Sequence, residues 1–534
     1  MTEETTAGPD EPKRLLGVFR AEWAVHPFRR PSGGRLLRAV RTHLLFAIAL
    51  TGGAYFRWAA VRGYPGVLWF TGDSYFYLGR ALRPDQPSPS KTLGYSFALR
   101  LLEPFHSFTL VAVVQHLMGL SIAVMIYALL RRVRLPGWLA TIAALPVLYD
   151  AYTIELEHLL MSETLFVFLI FAGLTLLLWR IRGPRPWPAW WLALPAGLLL
   201  GYAVLVRSAG APLVPAIMAV LLLPRRGWFK LRVGAWLPAI AFAAAAAVPI
   251  VAYASWFHAE RGSYALTTSD GLYMWGRVAE FADCEKIKPP PEQRPLCMDP
   301  ALKAEHDAPG HLIWRSDVPP RQLYASAITP ENNKTLRDFA LHAMIAQPGD
   351  YRQVITDGLG KAFSTHRFPY PTSSTEQLYH FPDHPHTFPG GRSWGGGGSA
   401  LSDAMNYGRQ FHPSRVSRPY ADRMITYQRN VYMPGPVLGV LFCLPVLGIA
   451  FGRQRRAVLL TWGTAATLLL FPIASADFDY RYVVPTIPFV CLAAGLSLAR
   501  GERRDDEEAR PRVITRWSGS RDSRPREKDP ATVP

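Results

Sequence analysis

Charged residues are scarce in this chain of 534 residues: Asp, Glu, Lys and Arg make up 18% of it, whereas hydrophobic residues make up 49%. A typical soluble domain carries about 25% charged residues, and here the apolar residues also come in long blocks. This composition excludes a single soluble core and indicates a membrane protein. The sequence also contains no P-loop, no dinucleotide-binding fingerprint and no serine nucleophile elbow.

Cysteine is equally scarce, with four residues in the whole chain. Cys443 and Cys491 lie in apolar blocks, where a thiol packs as a small hydrophobic group. Cys284 and Cys297 lie in a long polar segment with no histidine between them, which makes a poor zinc site. Outside the cytoplasm, such a pair is expected to form a disulfide.

Apolar blocks that approach the roughly 20 residues of a membrane-spanning helix recur along the chain. They are 41–62, 107–130, 137–149, 159–179, 188–206, 210–224, 233–256, 433–452, 456–474 and 480–499. The sequence therefore predicts an all-α polytopic membrane protein with about ten transmembrane helices. The first block starts too late, and is too long, for a cleaved signal peptide, so it is expected to be a retained anchor.

Clusters of basic residues follow every even-numbered block, as the positive-inside rule requires when both chain ends face the cytoplasm. The clusters are Arg131, Arg132 and Arg134; Arg180, Arg182 and Arg185; Arg225, Arg226 and Lys230; Arg453, Arg455 and Arg456; and Arg500, Arg503 and Arg504. They explain much of the formal net charge of +18, and they indicate membrane lipids rather than nucleic acid as partners.

The same pattern divides the chain into five parts. Residues 1–40 are predicted to be a disordered cytoplasmic N-terminus, 41–256 a membrane core of about seven helices, 257–432 an extracytoplasmic segment, 433–499 the last membrane helices, and 500–534 a disordered cytoplasmic tail. Within 257–432, the first part is expected to form a small, mainly helical domain, with helices near 334–347 and 351–363. The Pro-, His- and Gly-rich stretch 367–420 is expected to be a long mobile loop.

Asp73 is the first candidate for chemistry, because it places a carboxylate just outside the first apolar block, among aromatic residues. It is a candidate general base for an acceptor that arrives from outside; alternatively, it caps a helix at the membrane surface. Downstream in the same loop, the run Lys91-Thr92-Leu93-Gly94-Tyr95-Ser96 supplies a cation and a flexible glycine.

A second candidate site is the acidic stretch 150–163, which enters the fourth block. If the stretch is helical, Glu155, His158 and Ser162 share one face, with Glu163 beside them and Glu157 pointing away. Charges that enter a membrane helix are costly unless they line a wet cavity or find partners. The alternative is a set of acids that favour a helix N-terminus. Two potential ligands at that spacing are weak grounds for a metal site.

Two arginines are candidates for binding a phosphate on the same side of the membrane. Arg207 lies in the turn between the fifth and sixth blocks, and Arg481 lies at the start of the tenth. Arg207 could equally be an interfacial anchor, and Arg481 could equally pair with Asp477 or Asp479.

Taken as a set, these features resemble the GT-C superfamily of integral-membrane glycosyltransferases, near the family 39 protein mannosyltransferases and the lipid A aminoarabinose transferases. The matching features are Asp73 in the first outward loop, the acidic stretch 150–163, Leu-x-Arg-x-x-Gly at 205–210 and Arg-Tyr-x-x-Pro at 481–485. The resemblance covers roughly 41–256 and 433–499.

The resemblance implies a GT-C-like fold and an inverting transfer from a polyprenyl-phosphate sugar to an extracytoplasmic acceptor, which would be a cell-envelope glycan, a lipid or a protein. Asp73 is then the base, and Ser74 stands where many relatives have a second acid, so Glu155 or Glu163 is expected to share the work. Lys91, Tyr95, His158, Arg207 and Arg481 are the expected substrate-binding residues. No cofactor and no metal are expected, since the arginines would neutralise a monophosphate leaving group.

Two other classes of protein remain open at this point. A transporter or flippase also needs charges within its membrane part, but these candidates gather at one face rather than at the midplane. A non-catalytic envelope-assembly protein would need no cluster of acids. The use of Arg, Ala, Gly and Pro is typical of a GC-rich bacterium such as an actinobacterium, so the expected location is a bacterial plasma membrane.

The basic clusters make the topology testable. Cysteines introduced within 370–410 should react with a membrane-impermeant thiol reagent in intact cells, whereas cysteines within 225–232 should not, because that loop is predicted to face the cytoplasm. Labelling at 225–232 in intact cells would reverse the orientation and, with it, the side on which the candidate site lies.

The cysteine pair predicts a second measurable property. Cys284 and Cys297 should be oxidised in protein isolated from membranes, and non-reducing mass spectrometry should find the two peptides linked. Loss of the bridge should destabilise the 257–432 segment by about 3 kcal/mol, because the closed loop is short. Free thiols at both positions would contradict the prediction.

Overall fold

The computed structural model describes residues 33–181, 188–223, 236–305, 307–385, 387–388, 398–409, 415–452 and 454–499. Several sequence-based expectations fall outside these residues, namely those for 1–32 and 500–534 and those for Arg182, Arg185, Arg225, Arg226, Lys230, Arg453, Arg500, Arg503 and Arg504. The described residues are mainly helical, and an isolated bridge joins Leu68 and Leu159.

The first half of the chain builds the larger part of the membrane region. Its helices are α1 (Gly33–Gly63), α2 (Asp73–Leu82), α3 (Gly94–Leu102), α4 (Phe108–Arg132), α5 (Gly137–Tyr149), α6 (Ala151–His158), α7 (Glu163–Leu178), α8 (Trp190–Val206), α9 (Leu213–Leu222) and α10 (Leu237–Arg261). The short helices α2 and α3 lie in the loop between α1 and α4, where the sequence places Asp73 and Lys91.

The described residues of 257–432, here called the central segment, are also mainly helical, as the sequence predicts for the first part of this stretch. The helices are α11 (Asp270–Ala279), α12 (Cys284–Ile287), α13 (Pro300–Lys303), α14 (Pro309–Leu312), α15 (Pro319–Leu323), α16 (Pro330–Ala346), α17 (Pro348–Phe363), α18 (Ser373–Gln377), α19 (Ala400–Gly408) and α20 (Tyr420–Asn430). The helices expected near 334–347 and 351–363 correspond to α16 and α17. The last helices of the described chain are α21 (Gly435–Phe451), α22 (Arg455–Ser475), α23 (Tyr480–Val483) and α24 (Ile487–Ser497).

An apolar helix is found at each of the ten predicted positions, and the chain is an all-α membrane protein. By length and composition, four helices of the described residues can each cross a membrane alone: α1, α4, α10 and α22. The pairs α5–α6 and α20–α21 raise the number to six if each is one span, bent by 50° and 59° respectively. Shorter helices such as α7, with 16 residues, are about 24 Å long against a hydrocarbon core of about 30 Å. The count of ten therefore stays a prediction.

The central segment has its own apolar core, which includes Leu272, Trp275, Leu336 and Phe339. Cys284 and Cys297 are joined by a disulfide with their Cα atoms 6.2 Å apart. The long mobile loop at 367–420 stays a prediction, and part of this stretch packs on the membrane part. There, Tyr379 and Phe381 are buried against the membrane part, because their rings pack on Phe70 and Tyr64.

The third predicted span is broken, and the break determines much of the surrounding packing. Asp150 adopts an extended conformation between α5 and α6, and its side chain caps α6 by accepting a hydrogen bond from the Thr153 amide at 2.7 Å. The carbonyls at the end of α5 consequently lose their helical donors. Arg57, inside α1, donates to two of them, Val147 at 3.0 Å and Leu148 at 2.9 Å.

Arg57 is itself neutralised inside the bundle. Its Nε and Nη2 donate to the two carboxylate oxygens of Glu157, both at 2.7 Å, and both side chains are nearly inaccessible. His116 Nδ1 lies 2.9 Å from the same carboxylate, and its Nε2 lies 2.9 Å from His158 Nδ1. Helix α4 can approach so closely because residue 119 is glycine, where a Cβ would stand 1.8 Å from Glu157 Oε1.

This buried cluster is joined to the loop that carries Asp73. His158 Nε2 lies 2.9 Å from the Tyr64 carbonyl, at the end of α1. Leu68 then donates to the His158 carbonyl and accepts from the Leu160 amide, both at 2.9 Å, to form the isolated bridge. The loop after α1 and the strand-like residues between α6 and α7 are thereby held side by side.

Removing the charge of Glu157 should therefore unfold the bundle. Glu157→Gln leaves Arg57 buried without a full counter-charge, a change that costs about 3–5 kcal/mol. We expect a large fall in the amount of monodisperse protein in detergent and in its midpoint of thermal unfolding. Asp383→Asn is the matched control, because Asp383 pairs with His384 at an exposed position and surface changes stay within about 0.5 kcal/mol. Equal stability of the two variants would contradict this account.

Candidate active site

Helix α2 begins at Asp73 because the backbone turns sharply just before it. Gly72 has a φ of 83°, in the left-handed region that glycine adopts without strain. Ser74 then fixes the turn, since its hydroxyl accepts from the Phe70 amide at 2.8 Å and donates to the Leu160 carbonyl at 2.9 Å. The serine found where relatives have a second acid is thus a buried structural residue, and Asp73 is the first side chain of the helix.

Two cations hold the carboxylate of Asp73. Lys91 forms an ion pair with Oδ1, and Arg481 Nη1 donates to Oδ2 at 2.5 Å. The Asp73 side chain is 17% exposed, so it still borders an accessible space. Burial raises the pKa of Asp73, but the ion pairs with Lys91 and Arg481 outweigh burial and hold this pKa well below its usual range. The carboxylate is therefore ionised at any physiological pH.

Arg481 connects Asp73 with the last membrane helices. Its guanidinium lies 3.0 Å from Asp479, whose other oxygen accepts a hydrogen bond from the Tyr379 hydroxyl at 2.6 Å. Of the two partners considered from the sequence, Asp479 is the one that Arg481 contacts. Asp477 instead faces the central segment and accepts from the Gly310 amide at 2.8 Å.

A second ion pair lies beside the first. Glu163, the first residue of α7, pairs with Arg207, which follows the end of α8. Arg207 and Arg481 both lie over the ring of Tyr482, at 5.7 Å and 5.4 Å from its centroid. Both arginines thus flank one aromatic ring. The two arginines that the sequence marks as phosphate-binding candidates therefore lie close together.

Tyr77 links the two ion pairs from the side of α2. It lies one helical turn after Asp73, on the same face of α2. A hydrogen bond of 3.0 Å joins its hydroxyl to that of Ser162, which in turn lies 3.4 Å from Arg207 Nη1. The Tyr77 ring also lies 5.7 Å from Lys91 Nζ. One wall of the site is therefore aromatic and hydrogen-bonding.

Glu155 lies apart from these ion pairs. It is 1% exposed, and its Oε1 has no hydrogen-bond partner among the described residues. The charges that act on it most are those of Arg367 and Glu163. A buried carboxylate oxygen without a partner costs free energy. We therefore retain Glu155 as a second candidate acid.

Two predicted substrate-binding residues are not in the site. The ring nitrogens of His158 are both engaged, by His116 and by the Tyr64 carbonyl, and the residue is fully buried. Tyr95 is also buried and donates to Gln115 at 2.7 Å. The shared helix face predicted for 155–162 is wrong as well, because α6 ends at His158 and the next residues pair with the loop at Leu68.

Several residues that shape the site were not predicted from the sequence. Arg57, Gln115 and His116 are polar residues within apolar blocks, a signal that by itself marks functional or strongly partnered positions. Gln115 donates to the carbonyls of Glu157 and Leu159, both at 2.8 Å, and so holds the broken end of α6. Asp479 was considered only as a partner of Arg481.

The chemistry that this arrangement allows is anion binding next to an ionised carboxylate. Three cations, Lys91, Arg207 and Arg481, meet three carboxylates, Asp73, Glu163 and Asp479. Guanidinium groups bind phosphate with two parallel hydrogen bonds. Within the described residues no three His, Cys, Asp or Glu side chains are grouped so that they could hold a metal ion. Independence from metal stays a prediction.

The comparisons with known proteins cover only part of this site. Residues 101–265 match the family model described as dolichyl-phosphate-mannose-protein mannosyltransferase. That stretch includes Glu155, Glu163 and Arg207, and it excludes Asp73 and Arg481. No curated protein matches the chain.

Among solved structures, the chain is similar to the oligosaccharyltransferase of Archaeoglobus fulgidus. A crystal structure tethered with an acceptor peptide containing the NVT sequon has 13% identity and a TM-score of 0.40, covering 86% of this chain and 49% of that one. The apo form has 12% identity and a TM-score of 0.40, covering 85% and 50%. The complex with an inhibitory peptide and a dolichol-phosphate has 11% identity and a TM-score of 0.38, covering 84% and 50%.

The chain thus spans about half the length of the solved structures that it matches. The family model is more specific, because it falls on the stretch that holds the acidic cluster and the Leu-x-Arg-x-x-Gly motif. Over residues 101–265, it confirms the predicted resemblance to the GT-C membrane glycosyltransferases near the protein mannosyltransferases.

Proposed function

We propose that this protein is an inverting glycosyltransferase that moves a sugar from a polyprenyl-phosphate donor to an acceptor on the extracytoplasmic face of a bacterial plasma membrane. The observation that carries the proposal is the ionised carboxylate of Asp73, partly accessible and held between Lys91 and Arg481. Such an arrangement provides both a proton acceptor and the cations that a phosphate leaving group needs.

The donor phosphate binds where these cations meet. Arg481 and Arg207 flank the ring of Tyr482, so one phosphate between them contacts both guanidinium groups. Each cation has a carboxylate partner, and the phosphate therefore competes with Asp73 and Glu163. Glu163, which is buried, keeps Arg207 oriented. The ion pairs of Asp73 with Lys91 and Arg481, in contrast, are weakened when the phosphate binds.

This competition activates the base when the donor is present. The two ion pairs keep the pKa of Asp73 low, which makes it a weak base while both cations contact it. When the phosphate draws Lys91 and Arg481 away, the pKa of Asp73 rises toward its ordinary value. The carboxylate thus becomes a better proton acceptor only after the donor has bound.

The transfer is a single displacement at the anomeric carbon. The acceptor hydroxyl loses its proton to Asp73 while its oxygen forms the new glycosidic bond. The bond from the anomeric carbon to the phosphate oxygen breaks on the opposite face, and the polyprenyl monophosphate leaves as an anion paired with the arginines. Asp73 then returns its proton to water. Glu155, with an oxygen free of partners, is the alternative base.

Asp73→Asn separates the role of this carboxylate as proton acceptor from its role as ion-pair partner of Lys91 and Arg481. Turnover of a radiolabelled sugar from polyprenyl phosphate should fall by roughly 100- to 10,000-fold, because asparagine does not accept the proton. Binding of the polyprenyl phosphate itself should stay equal or become tighter, since neutral asparagine no longer competes for Lys91 and Arg481. Arg207→Ala should instead weaken binding of the polyprenyl phosphate, because a guanidinium that contacts it is lost.

Asp85→Asn is the matched control, because Asp85 is an exposed carboxylate in the same loop. It should leave turnover unchanged. Glu155→Gln and Glu163→Gln test the choice of base. If Asp73→Asn keeps near-full turnover while either of these variants abolishes it, the base lies between α6 and α7 and the assignment to Asp73 is wrong.

A further inference from the structure

Helix α11 of the central segment begins against the loop that carries Lys91. The amide of Thr268 donates to the Pro89 carbonyl at 2.8 Å, and the hydroxyl of Ser269 donates to the Ser90 carbonyl at 3.0 Å. Ser90 directly precedes Lys91, the cation paired with Asp73. The start of α11 is thus fixed to one of the two segments that hold the Asp73 carboxylate.

The other end of α11 faces the second of these segments. Arg277 is 3% exposed and lies 3.7 Å from the carboxylate of Asp477, four residues before Arg481. Asp477 also accepts from the Gly310 amide and from the Tyr370 hydroxyl, both in the central segment. One short helix therefore bridges the two chain segments that supply cations to Asp73.

Tyr273 lies between these two anchors. Ser269, Tyr273 and Arg277 are spaced by four residues, so they lie on one face of the helix, and that face is turned toward the membrane part. On the opposite face of α11, the Gly271 amide donates to the Asn333 side chain at 2.7 Å, and this contact fixes the rotation of the helix about its axis. A Cβ at residue 271 would stand 2.0 Å from the Asn333 carbonyl, which shows how closely the two backbones pack.

Tyr273 is partly buried at the edge of the apolar core of the central segment, on the face of α11 that carries the contacts to Ser90 and Asp477. Burial, and after it the negative charge of Asp73, raises the pKa of Tyr273, so the phenol keeps its proton and can donate a hydrogen bond. Within the described part of the chain its hydroxyl makes no hydrogen bond.

We infer that Tyr273 is a donor-binding residue whose hydroxyl hydrogen-bonds the phosphate of the lipid-linked sugar, so that the central segment forms part of the active site. The inference rests on the proposed function and extends it to a residue outside the stretch matched by the family model. A hydroxyl on the face of α11 that lies between the segments of Lys91 and Arg481 is suited to hydrogen-bond an anionic oxygen. An acceptor hydroxyl would gain less there, because it is neutral and the nearby cations favour an anion.

Tyr273→Phe tests the inference without disturbing the packing, since the ring is retained. Affinity for polyprenyl monophosphate alone, measured by tryptophan fluorescence of the full-length protein in detergent, should fall about 10-fold, the usual effect of losing one hydrogen bond to a charged group. In the transfer assay, the KM for the donor should rise by a similar factor, with less change in kcat. Tyr324→Phe, in the same apolar core of the central segment, is the control and should match the wild type.

The outcomes separate this inference from the function on which it rests. If the wild type and Tyr324→Phe bind the polyprenyl phosphate and transfer the sugar, and Tyr273→Phe does so equally well, Tyr273 is not a donor-binding residue. The inference is also overturned if only the KM for the acceptor rises, because Tyr273 then contacts the acceptor. If the wild type itself neither binds the polyprenyl phosphate nor transfers the sugar, the proposed function fails together with the inference.

Discussion

The buried ion pair between Arg57 and Glu157 is the interaction on which the rest of the membrane part depends. A broken helix inside a bilayer leaves carbonyl groups without donors, and such groups are costly where water is absent. Arg57 satisfies two of these carbonyls, and Glu157 neutralises it with both carboxylate oxygens. Because the break is stabilised in this way, the chain after α6 can leave helical geometry and run beside the loop that carries Asp73. The position of the candidate base is thus a consequence of charge burial deep in the bundle.

The candidate site also shows how a carboxylate and a bound phosphate can use the same cations. Asp73 neutralises part of the charge of Lys91 and Arg481, and Asp479 also contacts Arg481, so the positive charge in this partly buried space is compensated by carboxylates. An entering phosphate replaces one anion by another, so the protein needs little reorganisation. Fixed charges act most effectively on a reaction when such reorganisation is small.

Much of the helical framework could be predicted from the sequence, because blocks of apolar residues report directly on helices that face lipid. The basic residues and acids that meet in the site were also visible, since polar groups are rare in such a chain. The break at Asp150 was not, because its extended conformation depends on the Met433 amide, which lies far along the chain and donates to its carboxylate at 2.8 Å. For the same reason His158 was assigned to the substrate, although its partners are His116 and the Tyr64 carbonyl. Nothing in the sequence singles out Tyr273, since its place between the segments of Lys91 and Arg481 depends on how α11 packs.

The bridge between Leu68 and Leu159 has a consequence for the order in which the protein can be made. The first loop emerges from the ribosome about 90 residues before its partner, a delay of about 5 to 20 s at ordinary rates of synthesis. Asp73 waits longer still, because Arg481 follows it by 408 residues. Until Arg481 has been synthesised, Asp73 has only Lys91 of its own loop as a cationic partner, so the loop reaches its final conformation only after that distant segment is in place. A chain released before Arg481 would keep the ion pair with Lys91 but would never close the contact that joins the first loop to the later membrane helices.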